Sequence, residues 1–136
     1  ASDVYKRQQD VNNQLFADSV MEEVVLCNSI SDKKRIEEVL KRLNLWDVRD
    51  EHPMSLSGGQ KQRVVIAQVL LSKDKMIFFD EPTSGMDYKN MVAISNLIKQ
   101  VCKENKIVVI VSHDVEFLNE TCDYILKLEN YVETSF

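Results

Sequence analysis

Met76-Ile77-Phe78-Phe79-Asp80-Glu81 lies twenty residues beyond the start of Leu56-Ser57-Gly58-Gly59-Gln60, and these two segments together decide the fold. Met76 to Phe79 is an uninterrupted apolar run. That suits a strand covered on both faces, as in a parallel sheet, although periodicity alone does not distinguish it from a buried helix. Asp80 emerges at the carboxyl end of the run, where open α/β sheets place their ligands. In the earlier segment Ser57 reads as a helix N-cap, with Gln60 at capping-box spacing. Gly58 and Gly59 lack a Cβ, so their backbone N–H groups are open to close approach by a ligand. A helix N-terminus of this kind favours anions, and Lys61 and Arg63 add positive charge nearby. Taken alone, Ser-Gly-Gly is more often an ordinary capped helix after a glycine turn.

The downstream sequence changes that balance. Pro82-Thr83-Ser84-Gly85-Met86-Asp87 follows the two carboxylates, and a second apolar run, Ile107 to Val111, ends in Ser112-His113-Asp114. Near the start stands Gln9-Asp10-Val11-Asn12-Asn13-Gln14-Leu15-Phe16. In this order and at this spacing the segments resemble the Q-loop, signature motif, Walker B strand, D-loop and H-loop of an ATP-binding cassette (ABC) ATPase. The D-loop reads Ser-Gly-Met-Asp where Ser-Ala-Leu-Asp is commoner, which keeps the acidic residue and a small one. Gln14-Leu15-Phe16-Ala17, followed by Ser19-Val20 and Glu22-Glu23, is most similar to the ATPases of energy-coupling-factor importers, which take up vitamins or metal ions. A polar, Asn-rich loop before a helix is the plainer reading of that stretch.

The resemblance implies ATP and Mg²⁺ as ligands and gives each residue a role. Asp80 would hold Mg²⁺ directly or through water; magnesium keeps several waters and accepts one carboxylate beside nucleotide phosphates. Glu81 would polarise the attacking water. His113 would hydrogen-bond the γ-phosphate, while His52 reads as structural or simply exposed. Gln9 would contact Mg²⁺ or water and report nucleotide state to a partner. Ser57, Gly58, Gly59 and Gln60 would serve the ATP held by a second ATPase subunit, identical or related, with Asp87 lying across that interface. Membrane-spanning transporter subunits would receive the motion.

One part of the family pattern is missing. The chain contains no G-x-x-x-x-G-K-[ST], and its three glycines are at 58, 59 and 85. Without the backbone cradle, lysine and hydroxyl of that loop, no ordinary ATP pocket forms. The expectation is therefore a truncated ATPase domain, inactive by itself, lacking the Walker A half. The family carries an apolar strand where Ala1 to Gln8 show Ser2-Asp3 and Lys6-Arg7-Gln8, so those residues are expected to be foreign to their context.

With 136 residues, 44% hydrophobic and 29% charged, the chain has the make-up of one ordinary globular domain. No apolar run approaches the roughly 20 residues of a membrane span, and no secretory signal is visible. A net charge of −5 argues against nucleic acid as a partner. Cys27, Cys102 and Cys122 are widely spaced and read as small apolar residues of a reducing cytoplasm.

The layout predicts helices over Ser19 to about Cys27 and Asp32 to Leu43, the latter with Ile36, Val39, Leu40 and Leu43 on one face. A largely buried signature helix follows over 58–71. Then come a strand at 76–80, a helix at 88–104 with Met91, Ile94, Leu97, Ile98 and Val101 inward, a strand at 107–111, a helix at 114–121 and a strand at 123–128. The alternation predicts an α/β fold with a doubly wound parallel sheet. By resemblance this is P-loop NTPase-like and incomplete, with a helical subdomain at about 18–71 and an α/β core at 76–136. The leading function is the ATP-hydrolysing subunit of an importer, cytoplasmic and peripheral on the inner face of the membrane. The alternatives are a soluble ABC ATPase acting on ribosomes or DNA, and a degenerate cassette supplying only a signature half-site. The short span between Q-loop and signature, without a coiled-coil excursion or basic arm, and the intact Glu81 and His113 favour the first.

Overall fold

The computed structural model describes residues 4–7 as backbone, and residues 15, 17–26 and 32–128 in full. Gln9, most of the segment around it and Cys27 lie outside the described residues. Three parallel strands form one sheet in the order β1 (Val4–Arg7), β2 (Met76–Asp80), β3 (Ile107–Val111), with Ile77 opposite Tyr5 on one side and Val108 on the other. Five α-helices accompany them among the described residues: α1 (Val20–Leu26), α2 (Lys33–Arg42), α3 (Gly58–Leu71), α4 (Tyr88–Cys102) and α5 (Val115–Thr121). A strand forms at Val4–Arg7 in spite of Lys6 and Arg7, where the resemblance puts one. Strand position there is set by pairing with β2 rather than by side-chain character.

The helix α3 is the hub, packed on α1, α2 and α4. Every residue from Val64 to Leu71 is buried, so its second half is enclosed all round. Burying each large aliphatic side chain contributes about 1.5–3 kcal/mol, whereas an N-cap contributes about 1 kcal/mol. The placement of α3 therefore comes from its second half. Its first turn is free to serve another purpose.

Three expectations are corrected. The strand predicted at 123–128 is absent: residues 124–128 have no regular structure, and Tyr124, Leu126 and Leu128 are exposed. An extended segment becomes a strand only when a neighbouring strand takes up its backbone groups, and none of the three described strands pairs with it. The strands are also not covered on both faces. Ile77 and Phe79 are buried, but Met76, Ile107, Val109 and Val111 are exposed. The far edge of β3 has no partner strand among the described residues. Finally, α4 ends at Cys102, two residues short of the predicted 104, and Lys103 caps it through bonds to the carbonyls of Lys99 and Val101. The α2 and α4 faces otherwise match the prediction, with Leu97 half-buried and the rest of both faces buried.

Candidate functional site

The carboxyl ends of β2 and β3 bring together Asp80, Glu81, Ser112 and His113. Past Asp80 the backbone turns sharply: Glu81 has φ +49°, in the left-handed region that disfavours side chains. Such a residue costs about 1–3 kcal/mol and persists only where its surroundings over-determine it. Here they do. The Glu81 N–H donates to the carbonyl of Val111 (2.8 Å), extending the β2–β3 ladder by one rung. Its carboxylate accepts from the His113 backbone N–H (3.1 Å) and the Ser112 hydroxyl (3.3 Å), and it meets His113 Nδ1 at 2.7 Å. The Glu81 side chain is 18% exposed and that of His113 87%.

A carboxylate opposite Nδ1 fixes the proton on that nitrogen and leaves Nε2 pointing elsewhere. The hydrogen bond to Glu81 and then the charge of Glu81 raise the His113 pKa, outweighing the opposing effect of burial, and the charge of Asp114 adds least. A raised pKa favours the imidazolium, in which Nε2 also carries a proton to donate. Asp80 differs from its neighbour. It is half-buried at the strand end, and no donor among the described residues meets its carboxylate.

The second group lies at the start of α3. Ser57 Oγ accepts from the Gln60 N–H (3.2 Å) and the Gln60 side-chain oxygen accepts from the Ser57 N–H (2.9 Å), the full capping box read in the sequence. The N–H groups of Gly58 and Gly59 have no acceptor among the described residues. A Cβ built on Gly58 would meet nothing within 4 Å, so this turn faces open space. The helix start forms one wall of a groove of about 580 Å³, and residues 84–87 with Asn90 form the other.

Across the groove, Gly85 at φ +73° is the third residue of a turn closed by Met86 N–H to the Thr83 carbonyl (3.0 Å), a position that needs glycine. Asp87 caps α4 by accepting from the Asn90 N–H (2.8 Å), and its other oxygen accepts from the Asn90 side-chain amide (3.2 Å). The structure thus gathers Ser57, Gly58, Gly59, Gln60 and Asp87 around the groove, and Asp80, Glu81 and His113 at the strand ends. Gln9 lies outside the described residues.

Two contributors were missed in the sequence. Ser112 holds Glu81 and also accepts from the Asp114 N–H (3.0 Å). Asn90 steadies Asp87, and its spacing of three from the cap was the available signal. His52 is a local cap, its Nδ1 accepting from the Met54 N–H (3.1 Å), in keeping with a structural role.

The donor set suits magnesium and a polyphosphate. Among the described residues no cluster of three or more His, Cys, Asp or Glu could hold a metal. Magnesium needs no such cage, since one or two carboxylates with phosphate oxygens and water complete its shell. Asp80 offers one such carboxylate. The open N–H pair of α3 offers an anion site.

Comparison with known proteins gives a consistent answer. The profile of the ABC transporter family matches residues 3–84. A Treponema denticola protein described as an ABC transporter ATP-binding protein is 42% identical over 91% of this chain, which covers 25% of that protein. The energy-coupling factor transporter ATP-binding protein EcfA of Carboxydothermus hydrogenoformans is 35% identical over 88% of this chain and 47% of its own length. Among solved structures, CbiO1 of Clostridium perfringens, described as part of the ABC transporter complex CbiONQ, superposes with a TM-score of 0.78. It is 33% identical over 89% of this chain and 51% of that one. The chain therefore spans about a quarter to a half of the relatives it matches. With the profile match covering more than half of its residues, and the ordered motifs seated at strand ends and at a helix start, the chain belongs to the ABC transporter family.

Proposed function

We propose that this chain forms the signature, Walker B, D-loop and H-loop part of an ATP-hydrolysing subunit of an importer of the energy-coupling-factor type, serving uptake of vitamins or metal ions. The observation that carries this reading is the pairing of Glu81 with His113 at adjacent strand ends, beside an Asp80 whose carboxylate meets no donor among the described residues. The likeness to EcfA and to CbiO1 supports the importer type.

When bound, Mg²⁺ would draw charge from the transferring phosphoryl group. The chain's own contribution is positional. Asp80 offers the metal a carboxylate, Glu81 orients and polarises water, and His113 Nε2 reaches the terminal phosphate. Ser57, Gly58 and Gly59 face the nucleotide of a second subunit, identical or related, and Asp87 stands at that interface. Gln9 senses the metal or water. The helical region at about 18–71 passes motion to membrane-spanning partners, with the whole assembly on the cytoplasmic face. No described helix is long and apolar enough to cross a membrane itself.

The sequence holds no phosphate loop, so hydrolysis requires one from beyond these residues, with the apolar edge of β3, which has no partner strand among the described residues, as a place for its strand to join. The test is phosphate release with Mg-ATP. The 136-residue chain alone is expected to give background turnover, and the same sequence joined to a Walker A segment magnesium-dependent turnover. Robust turnover by the purified chain alone overturns the requirement for a supplied loop, and no turnover by the joined, folded protein overturns the ATPase reading.

A further inference from the structure

Among the residues lining the α3 groove there is one carboxylate, Asp87, facing the cations Lys61 and Arg63. Asp87 is exposed there, as is Asn90. While water fills the groove, the charge of Asp87 is solvated. Covering the groove with a partner removes that water, and a carboxylate stripped of water needs its compensation from the protein. What Asp87 already holds therefore sets how readily this wall can be buried.

Both of its oxygens are held by one residue. Oδ1 accepts from the Asn90 backbone N–H at 2.8 Å, and Oδ2 accepts from the Asn90 side-chain amide at 3.2 Å. The first bond is the ordinary cap of α4, which any residue with an N–H would supply at that position. The second requires a side-chain donor. With its nitrogen on Asp87, the amide turns its oxygen toward the opposite wall, where a Cβ built on Gly59 would meet it at 3.6 Å. Reversed, the amide would set oxygen against carboxylate oxygen. Asn is a weaker helix former than Ala, so at this exposed position its side chain adds little to α4 itself. Its distinctive contribution is to Asp87.

We propose that Asn90 is a positioning residue for the interface: its side-chain amide engages the second oxygen of Asp87 before the groove closes, so that the carboxylate can be covered by a second subunit without being left unpaired beside a phosphate. This rests on the functional reading above, in which the groove meets the nucleotide of a partner. Asn90 acts through Asp87 and touches neither nucleotide nor metal. A hydrogen bond to a charged group gains strength as the local dielectric falls, so the bond matters little in the open chain and most in the closed dimer.

The test uses the chain joined to a Walker A segment and carrying Glu81→Gln to hold the closed dimer, titrated with Mg-ATP and read on a sizing column. Asn90→Ala is expected to raise the ATP concentration for half-dimerisation by roughly fivefold or more, the lower end of usual coupling between sites. Its melting temperature is expected to hold or rise, since the backbone cap stays and Ala favours the helix. Asn90→Asp keeps the size but replaces the donor with a second carboxylate, and is expected to raise the ATP requirement further. Asp87→Asn is the discriminating background: with the charge gone, adding Asn90→Ala is expected to cost at most about twofold, so the two lesions do not add. An equal cost of Asn90→Ala in both backgrounds would place its action elsewhere than on Asp87 and overturn the proposal. So would wild-type dimerisation by Asn90→Ala or Asn90→Asp. If Asp87→Asn itself forms no dimer, the order of Asn90→Asp below Asn90→Ala decides. A parent that forms no dimer with ATP overturns the functional reading and this proposal with it, whereas a parent that dimerises alongside indifferent Asn90 variants leaves that reading standing.

Discussion

The strand-end cluster and the α3 groove are built on opposite plans. At the strand ends the acid and the base are already engaged with each other: Glu81 holds His113 through side chain and backbone, and Ser112 closes the set. In the groove the donors are held in place but empty-handed, since the capping box occupies Ser57 and Gln60 while Gly58 and Gly59 keep open N–H groups. The strand-end residues are absent from the groove's lining. The difference teaches that the two groups are separate, and on the function proposed above they act as half-sites, one placing a proton and a water and the other receiving negative charge.

The strongest way to break this contrast is Glu81→Gln in a chain supplied with a phosphate loop. Loss of a positioned base is expected to cut turnover by roughly 10²–10⁴-fold with nucleotide binding retained, measured as phosphate release against ATP-driven dimerisation on a sizing column. Wild-type turnover in that variant would remove Glu81 from the chemistry.

Gly58→Asp tests the groove, and its two expected effects have opposite signs. The new carboxylate sits in open space at a helix start, so melting temperature is expected to hold or rise slightly. ATP-driven dimerisation is expected to weaken by roughly five- to thirtyfold, from charge placed against phosphate at about 1–2 kcal/mol. Mixing this subunit with one lacking the Walker A lysine sharpens the result. Recovered ATP turnover shows action on the partner's nucleotide, and no recovered turnover with mixed dimers formed shows action on its own.

The pairing at the strand ends also predicts a titration. Because Glu81 raises the His113 pKa, the pair's contribution is complete below the ordinary histidine value of about 6.5 and is lost as pH rises through the higher folded value. The His113 ring signals in NMR are expected to titrate above that ordinary value, and Glu81→Gln to bring the midpoint down. An unshifted midpoint would mean the two groups are not engaged in solution.

A control lies away from both half-sites. Glu104, 25% exposed, is shared by Arg35 of α2 (2.7 Å) and Arg42 (2.8 Å), tying α2 to the end of α4. Burial opposes ionisation of Glu104, but the bonds and charges of Arg42 and Arg35 outweigh it and lower its pKa. The clasp therefore contributes above the unfolded value near 4.5 and fades as pH falls through the lowered folded value. Glu104→Gln is expected to cost at most about 1 kcal/mol at neutral pH, given its partial exposure, and nothing in strong acid, read from denaturant unfolding at both conditions. Both half-sites should be unaffected.

Much of this was legible in the chain. Ser57 and Gln60 announced the capping box, Asp32, Asp87 and Asp114 stand as caps where their helices begin, and the apolar runs at 76–80 and 107–111 became strands as read. These features are local: a cap or a short apolar run carries its own geometry. The segment 123–128 reads equally well as a strand and is not one here, because strand formation depends on a neighbour. Residues 4–7 read poorly and are a strand, because β2 lies beside them.

The sequence by itself determined the caps, the order of motifs and the family, since each cap and each motif is made of residues within a few positions of one another and their order is read directly along the chain. Only the tertiary structure decided that Glu81 bends into the left-handed region to meet His113, that Asn90 steadies Asp87 beside an open groove, and that Glu23 reaches both Ala17 and Gln68. Apart from the nearby Asn90, these contacts join residues that are distant in the chain or on different elements. Their geometry is fixed by how strands pair and how α3 packs, which no local spacing encodes.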